Sequence, residues 1–163
     1  MSDDLGIKVS TARRLWHQMP TGVRKVVNAA YGASAQQVGQ FRGALERGGA
    51  GGEPICVMGF HRSVLGLGRG ARLFQAALDD AGMTTTAWDV SHMFSKDITI
   101  APPSSRLSQA TSVVAHLNPI EHLHAIAVAP NPRPKKGFRV GYWAWETTQV
   151  PPDWLAGVAA VDE

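Results

Sequence analysis

The chain has 163 residues, 44% of them hydrophobic and 18% charged, with a formal net charge of +3. That length suits one ordinary domain, and the apolar share is enough for a core, which excludes wholesale disorder. The lone cysteine, Cys56, excludes an internal disulfide and a cysteine-ligated metal cage. No apolar run reaches the ~18 residues that a bilayer span requires. The opening Met1-Ser2-Asp3-Asp4 lacks the apolar stretch of a secretory signal, so a soluble cytoplasmic protein is expected. Residues 1–50 hold seven Lys/Arg against three Asp/Glu, and the rest holds nine against ten. That surplus is too sparse for the dense basic stripe of a nucleic-acid binder. It suits a solvated helix face with weak attraction to anionic lipid headgroups, at the inner face of a membrane.

In chain order, Val23, Val26, Val27, Ala30 and Tyr31 recur at helical spacing after a cap at Thr21, with Gly32 as the stop. A second helix is expected over roughly 34–46, with Val38, Phe41, Ala44 and Leu45 on one side. The glycine-rich stretch 48–53 reads as a flexible linker. It divides a helical extension, 1–47, from a second region, 54–163.

The periodicity then changes. Ile55 to Phe60 is a short apolar run suited to a strand buried on both faces. Ala71, Phe74, Ala77, Leu78 and Ala81 follow at helical spacing and end at Gly82. Further strands are expected at 84–90, 112–117 and 138–145, with a helix after Pro119 and a last one opening at Pro152. Residues 92–111 read as a long loop, and 130–137 as a stiff basic connector. Strand alternating with helix predicts α/β: a Rossmann-like parallel sheet with helices on both faces, preceded by a helical extension. Val161-Asp162-Glu163 falls where such a fold would supply its next strand, leaving an apolar sheet edge uncovered.

The strongest local signal is the glycine-rich stretch Gly59 to Gly70, which joins the first strand to the next helix. Sheets of this kind bind ligands at that point, and a helix N-terminus offers unpaired N–H groups to a phosphate. Gly66 and Gly68 would let the backbone approach such an anion, while Arg62, Ser63 and Arg69 would add donors. The same stretch also fits a plain reversing turn. His116 ends a strand on the ligand side and suits a catalytic or a structural histidine equally. His116, Glu121, His122 and His124 cluster in sequence, but His122 and His124 are two apart and diverge on a helix, so no metal site is expected. At the end of the last strand, alternation puts Tyr142 and Glu146 on one side and Trp143 and Trp145 on the other. Those aromatics suit the wall of a sugar pocket, though packing is the commoner role of such tryptophans. Glu146, at the mouth, suits contact with an acceptor hydroxyl.

Three motifs together carry a family resemblance. Gly59…Gly66-Leu67-Gly68-Arg69-Gly70-Ala71-Arg72 after a strand resembles the opening of a group 1 glycosyltransferase, glycosyltransferase family 4. His116-Leu117-Asn118-Pro119 resembles a step of one branch of that family, and Gly141-Tyr142-Trp143-Ala144-Trp145-Glu146 with Pro151 and Trp154-Leu155 is similar to a segment of the same branch. The resemblance spans 54–163. It implies the N-terminal half of a GT-B architecture, with a second Rossmann-like domain completing the cleft. It also implies transfer with retention of configuration, no metal and no cofactor, and a nucleoside-diphosphate sugar as co-substrate. Gly66, Gly68, Arg69, Arg62 and Ser63 would then meet the donor phosphates. Tyr142, Trp143 and Trp145 would meet a saccharide or lipid-linked acceptor, with His116 and Glu146 as catalytic residues. The E-x7-E pair of the family's second domain does not occur in these residues, so no transfer is expected from this chain alone. Two other readings stand beside it. One is a small NAD(P)-binding module using Gly66, Gly68 and Asp89. The other is a non-catalytic interaction domain.

Overall fold

A computed structural model describes residues 18–46, 48–64, 66–94, 110–128, 137–144 and 148–163. The elements are helix α1 (Thr21–Glu46), strand β1 (Ile55–Gly59), helix α2 (Gly66–Asp80), strand β2 (Thr85–Asp89) and a 3-10 turn (Ser91–Phe94). Strand β3 (Ser112–Ala115), helix α3 (Pro119–Val128), strand β4 (Phe138–Gly141) and a 3-10 helix (Pro152–Ala160) follow. All four strands are parallel, in the order β2-β1-β3-β4. The expected Rossmann-like α/β fold is present.

Three local expectations are corrected. The two lead-in helices are one, because Gly32 has open space around it and sits inside α1 without ending it. A mid-helix glycine costs only about 1 kcal/mol relative to alanine, which the surrounding turns absorb. Helix α2 begins at Gly66, so the last five residues of the predicted loop form its first turns. Strand β4 ends at Gly141 because its partner β3 ends at Ala115; Tyr142 N–H to Ala115 O, 2.9 Å, closes the ladder. The closing helix is a nine-residue 3-10 helix.

Pleat alternation assigns the two faces. Cys56, Met58, Trp88, Val113 and Ala115 share one face and pack with Phe60, Val90, Leu117 and Ala125 of α3. On the other face, Gly59 meets α2 so closely that an added Cβ would stand 2.7 Å from the Ala71 methyl. Leu123 and Ile126 of α3 form a second cluster with Ala160. The last residues lie along the outer edge of β4. Glu163 N–H donates to Arg139 O at 3.2 Å and Gly141 N–H to Glu163 O at 2.7 Å, the spacing of a parallel pair.

The glycine segment 48–53 has no regular structure and is tied down at the amino ends of the strands. Gly52 N–H donates to Ser112 Oγ at 2.8 Å, and the Ser112 hydroxyl donates back to Gly52 O at 2.7 Å. By spatial proximity the chain falls into two units divided between Ser34 and Ala35, so the last turns of α1 belong with the sheet.

Those turns are held by small residues. Ala35, Gly39 and Gly43 are the buried residues of α1, spaced one turn apart. A Cβ on Gly39 would overlap Leu123 O and reach its carbonyl carbon at 2.7 Å; one on Gly43 would overlap the Ala160 methyl and stand 2.8 Å from its Cα. Arg42 Nη1 donates to Ala127 O at 2.7 Å, satisfying a carbonyl at the end of α3. Gly39→Ala is therefore expected to lower unfolding stability by about 2 kcal/mol in urea melts, despite its better helix propensity, because backbone cannot yield as a side chain can. Gly32→Ala, with nothing nearby, should raise helicity instead; equal effects of the two would refute the close-packing account.

Candidate functional site

Strand β1 leads through α2 to β2 on one side, while β3 and β4 lie on the other. The strand order therefore reverses between β1 and β3, and the carboxyl ends there mark the position at which sheets of this class form a ligand crevice. Helix α2 opens beside it with no acidic residue in its first turn, leaving the positive end of its dipole uncancelled.

The β1–α2 turn is a packed structure. Ser63 N–H bonds to Phe60 O at 2.8 Å, and Arg72 Nη1 donates to both His61 O (2.9 Å) and Ser63 O (2.7 Å). Phe60, His61 and Ser63 are buried. His61 Nε2–H donates to Val57 O at 2.8 Å, which fixes the tautomer, and burial holds its pKa below the usual histidine value. On the far side, Asp89 Oδ1 accepts from the Ser91 hydroxyl at 2.6 Å and from Ser91 N–H at 3.1 Å. Arg62 N–H lies 3.4 Å from the same oxygen. Asp89 thus braces the turn through this oxygen.

The glycines divide by role. Gly66 is exposed, and nothing lies within 4 Å of where its Cβ would be. Gly68 is buried; a Cβ there would come within 2.5 Å of Phe60 O and Ser63 O, so it serves packing of the turn. Of the two, only Gly66 is open to an anion. Arg69 is exposed and Arg62 half-buried, whereas the buried Ser63 is not presented at the helix's open end.

Gly70 brings in the histidine. A Cβ on it would stand 2.7 Å from His116 Cε1, so the imidazole rests on bare helix backbone. The ring also stacks on Tyr142, with centroids 4.7 Å apart and planes 25° from parallel, and Phe74 stands 5.8 Å from Tyr142. His116 is 6% exposed, and burial lowers its pKa, which keeps the ring neutral near pH 7. Tyr142 is half exposed and forms the outer wall.

The structure thus gathers Gly66, Arg69, Arg62, His116 and Tyr142 at one end of the sheet. Trp143 turns the other way: its ring meets Gly141 and Gly157 and stands edge-on to Trp154 at 6.4 Å, a packing role. Trp145 and Glu146 lie outside the described residues. His122 is wholly buried in α3, while His124 faces Phe94 at 5.2 Å, as their two-residue spacing implies. Among the described residues, no three His, Cys, Asp or Glu side chains group as metal ligands, and no helix is long and apolar enough to cross a membrane. Sequence reasoning missed Arg72, Gly70 and Phe74. Only the closed turn shows what Arg72 holds, and only the strand–helix contact shows why residue 70 has no side chain.

Chemically, the arrangement offers an uncancelled helix N-terminus with flanking arginines to an anion, and an imidazole–phenol stack to a ring. Comparison with protein-family models, curated proteins and solved structures finds no match to this chain.

Proposed function

We propose that the chain is the acceptor-side, N-terminal domain of a retaining glycosyltransferase of the group 1 type. Its crevice meets the diphosphate of a nucleoside-diphosphate sugar and a saccharide or lipid-linked acceptor. The observation that carries ligand binding is the opening of α2, free of acidic residues, at the reversal of strand order beside His116. The step from anion binding to sugar transfer rests on the three motif resemblances. In this reading Gly66 N–H and Arg69 meet phosphate oxygens, while Tyr142 and His116 line the acceptor side. His116, neutral at its lowered pKa, would accept or donate a hydrogen bond without bringing a charge to the sugar. The bracing role of Asp89 Oδ1 weighs against NAD(P) at the same turn.

Titration of isotope-labelled protein with UDP, GDP and ADP is expected to move the amide signals of Gly66 to Arg69 and the ring signals of Tyr142. Arg69→Glu should weaken the response about tenfold or more, since it replaces an attractive charge by a repulsive one. Absence of any response to all three nucleotides, or tighter binding of NAD, would overturn the assignment.

A further inference from the structure

Helix α1 is 26 residues long, about 39 Å. From Thr21 to Ser34 none of its residues is buried, although the segment is built as an amphipathic helix. Val23, Val27 and Tyr31 fall one turn apart and are exposed, and Val26 beside them is 70% exposed. The exposed segment from Thr21 to Ser34 is marginal as an isolated helix in water, and an apolar face of this kind normally finds a partner. In the second unit, Val38, Phe41 and Leu45 are exposed too, since Ala35, Gly39 and Gly43 take the packing face.

Charge identifies the partner. Between Leu5 and Leu45 the sequence holds six Lys/Arg and not one Asp or Glu. Lys25 is exposed on the side of the helix opposite those valines, and Arg24 falls beside Tyr31 at the margin of the apolar face. A second copy of this chain would bring an equally basic helix alongside, with no acidic residue to meet its cations. Nucleic acid would satisfy the charge and leave the valines and tyrosine in water. An anionic bilayer surface accepts both, with apolar side chains among the upper acyl chains and cations at the headgroups. We infer that the Thr21–Ser34 face of α1 is a membrane-surface anchor that lies in the interface of anionic lipid. The crevice and its ligand play no part in this contact.

The full chain is mixed with vesicles of phosphatidylcholine, with and without phosphatidylglycerol, and the bound fraction is read by co-sedimentation. Binding is expected to the anionic vesicles only and to fall with added salt. Val26→Glu should weaken it about tenfold, through lost apolar burial and added repulsion, and Lys25→Glu about fivefold or more. Both side chains are exposed, so unchanged circular dichroism and melting serve as fold controls. Three results would overturn the inference: no binding to anionic vesicles, binding indifferent to Val26→Glu, or dimerisation in solution that Val26→Glu abolishes.

Discussion

Glu46→Ala is expected to lower the unfolding free energy by about 3 kcal/mol, a large share of the stability of a domain this size. Arg139 sits on β4 facing inward and is 1% exposed; its Nη2 meets Glu46 Oε2 at 2.9 Å, and Glu46 itself is 13% exposed. The carboxylate closes α1 onto the sheet, and Gly137 N–H donates to Glu46 O at 3.3 Å beside it. Taking a guanidinium out of water is costly, and the paired carboxylate offsets most of that cost. Removing only the carboxylate leaves the cost standing. The double variant Glu46→Ala, Arg139→Met removes both charges and should recover most of the loss. Urea unfolding of the three proteins checks this. A single-variant loss below about 1 kcal/mol would place the pair with ordinary surface ion pairs.

Acid sensitivity that depends on His122 is the second large effect. The ring is wholly buried, neither nitrogen has a hydrogen-bond partner among the described residues, and its pKa is pushed down to about 3 by burial and by the nearby Arg139 charge. The unfolded chain has an ordinary histidine there, near 6.5. Between these values the unfolded state takes up a proton that the folded state refuses. The stability associated with the neutral ring is therefore complete above pH 6.5 and is lost as pH falls toward 3. At about 1.4 kcal/mol per pH unit, the ceiling is about 4–5 kcal/mol. His122→Leu removes the titration and two unpaired polar atoms. It should gain about 1 kcal/mol at neutral pH and show a flatter loss on acidification. His61, His116 and His124 shift in the same direction, so the difference between parent and variant isolates residue 122. Parallel pH profiles for the two proteins would show that His122 protonates freely in the folded state.

These two residues mark where the sequence stopped being informative. Arg139 reads as one more residue of a strand, and nothing in Phe138-Arg139-Val140 says which face is inward. Its burial follows from the register Val113↔Arg139, which puts it on the face covered by α3, and from the arrival of Glu46 from 93 positions away. His122 drew attention as a metal candidate because of its neighbours in sequence, whereas its defining property is isolation. On α1 the apolar residues mark a face by their spacing, yet the face that packs is the glycine one. A contact close enough to exclude a Cβ leaves no hydrophobic signature.

The strand and helix alternation, the parallel α/β class and the place of the glycine-rich turn are all legible in the order of residues. Those depend on local periodicity and on residue types that act within a few positions of themselves. The same order brings Gly66, Arg69, His116 and Tyr142 forward as candidates, because the ends of parallel strands must lie together at one edge of the sheet. Packing settles the rest: Gly66 is open while Gly68 is filled by the turn, Asp89 braces that turn, and Tyr142 and Trp143 part company at the end of β4. Each of these is a contact between segments far apart in the chain. Its outcome turns on distances of a few tenths of an ångström, which no spacing of residue types encodes.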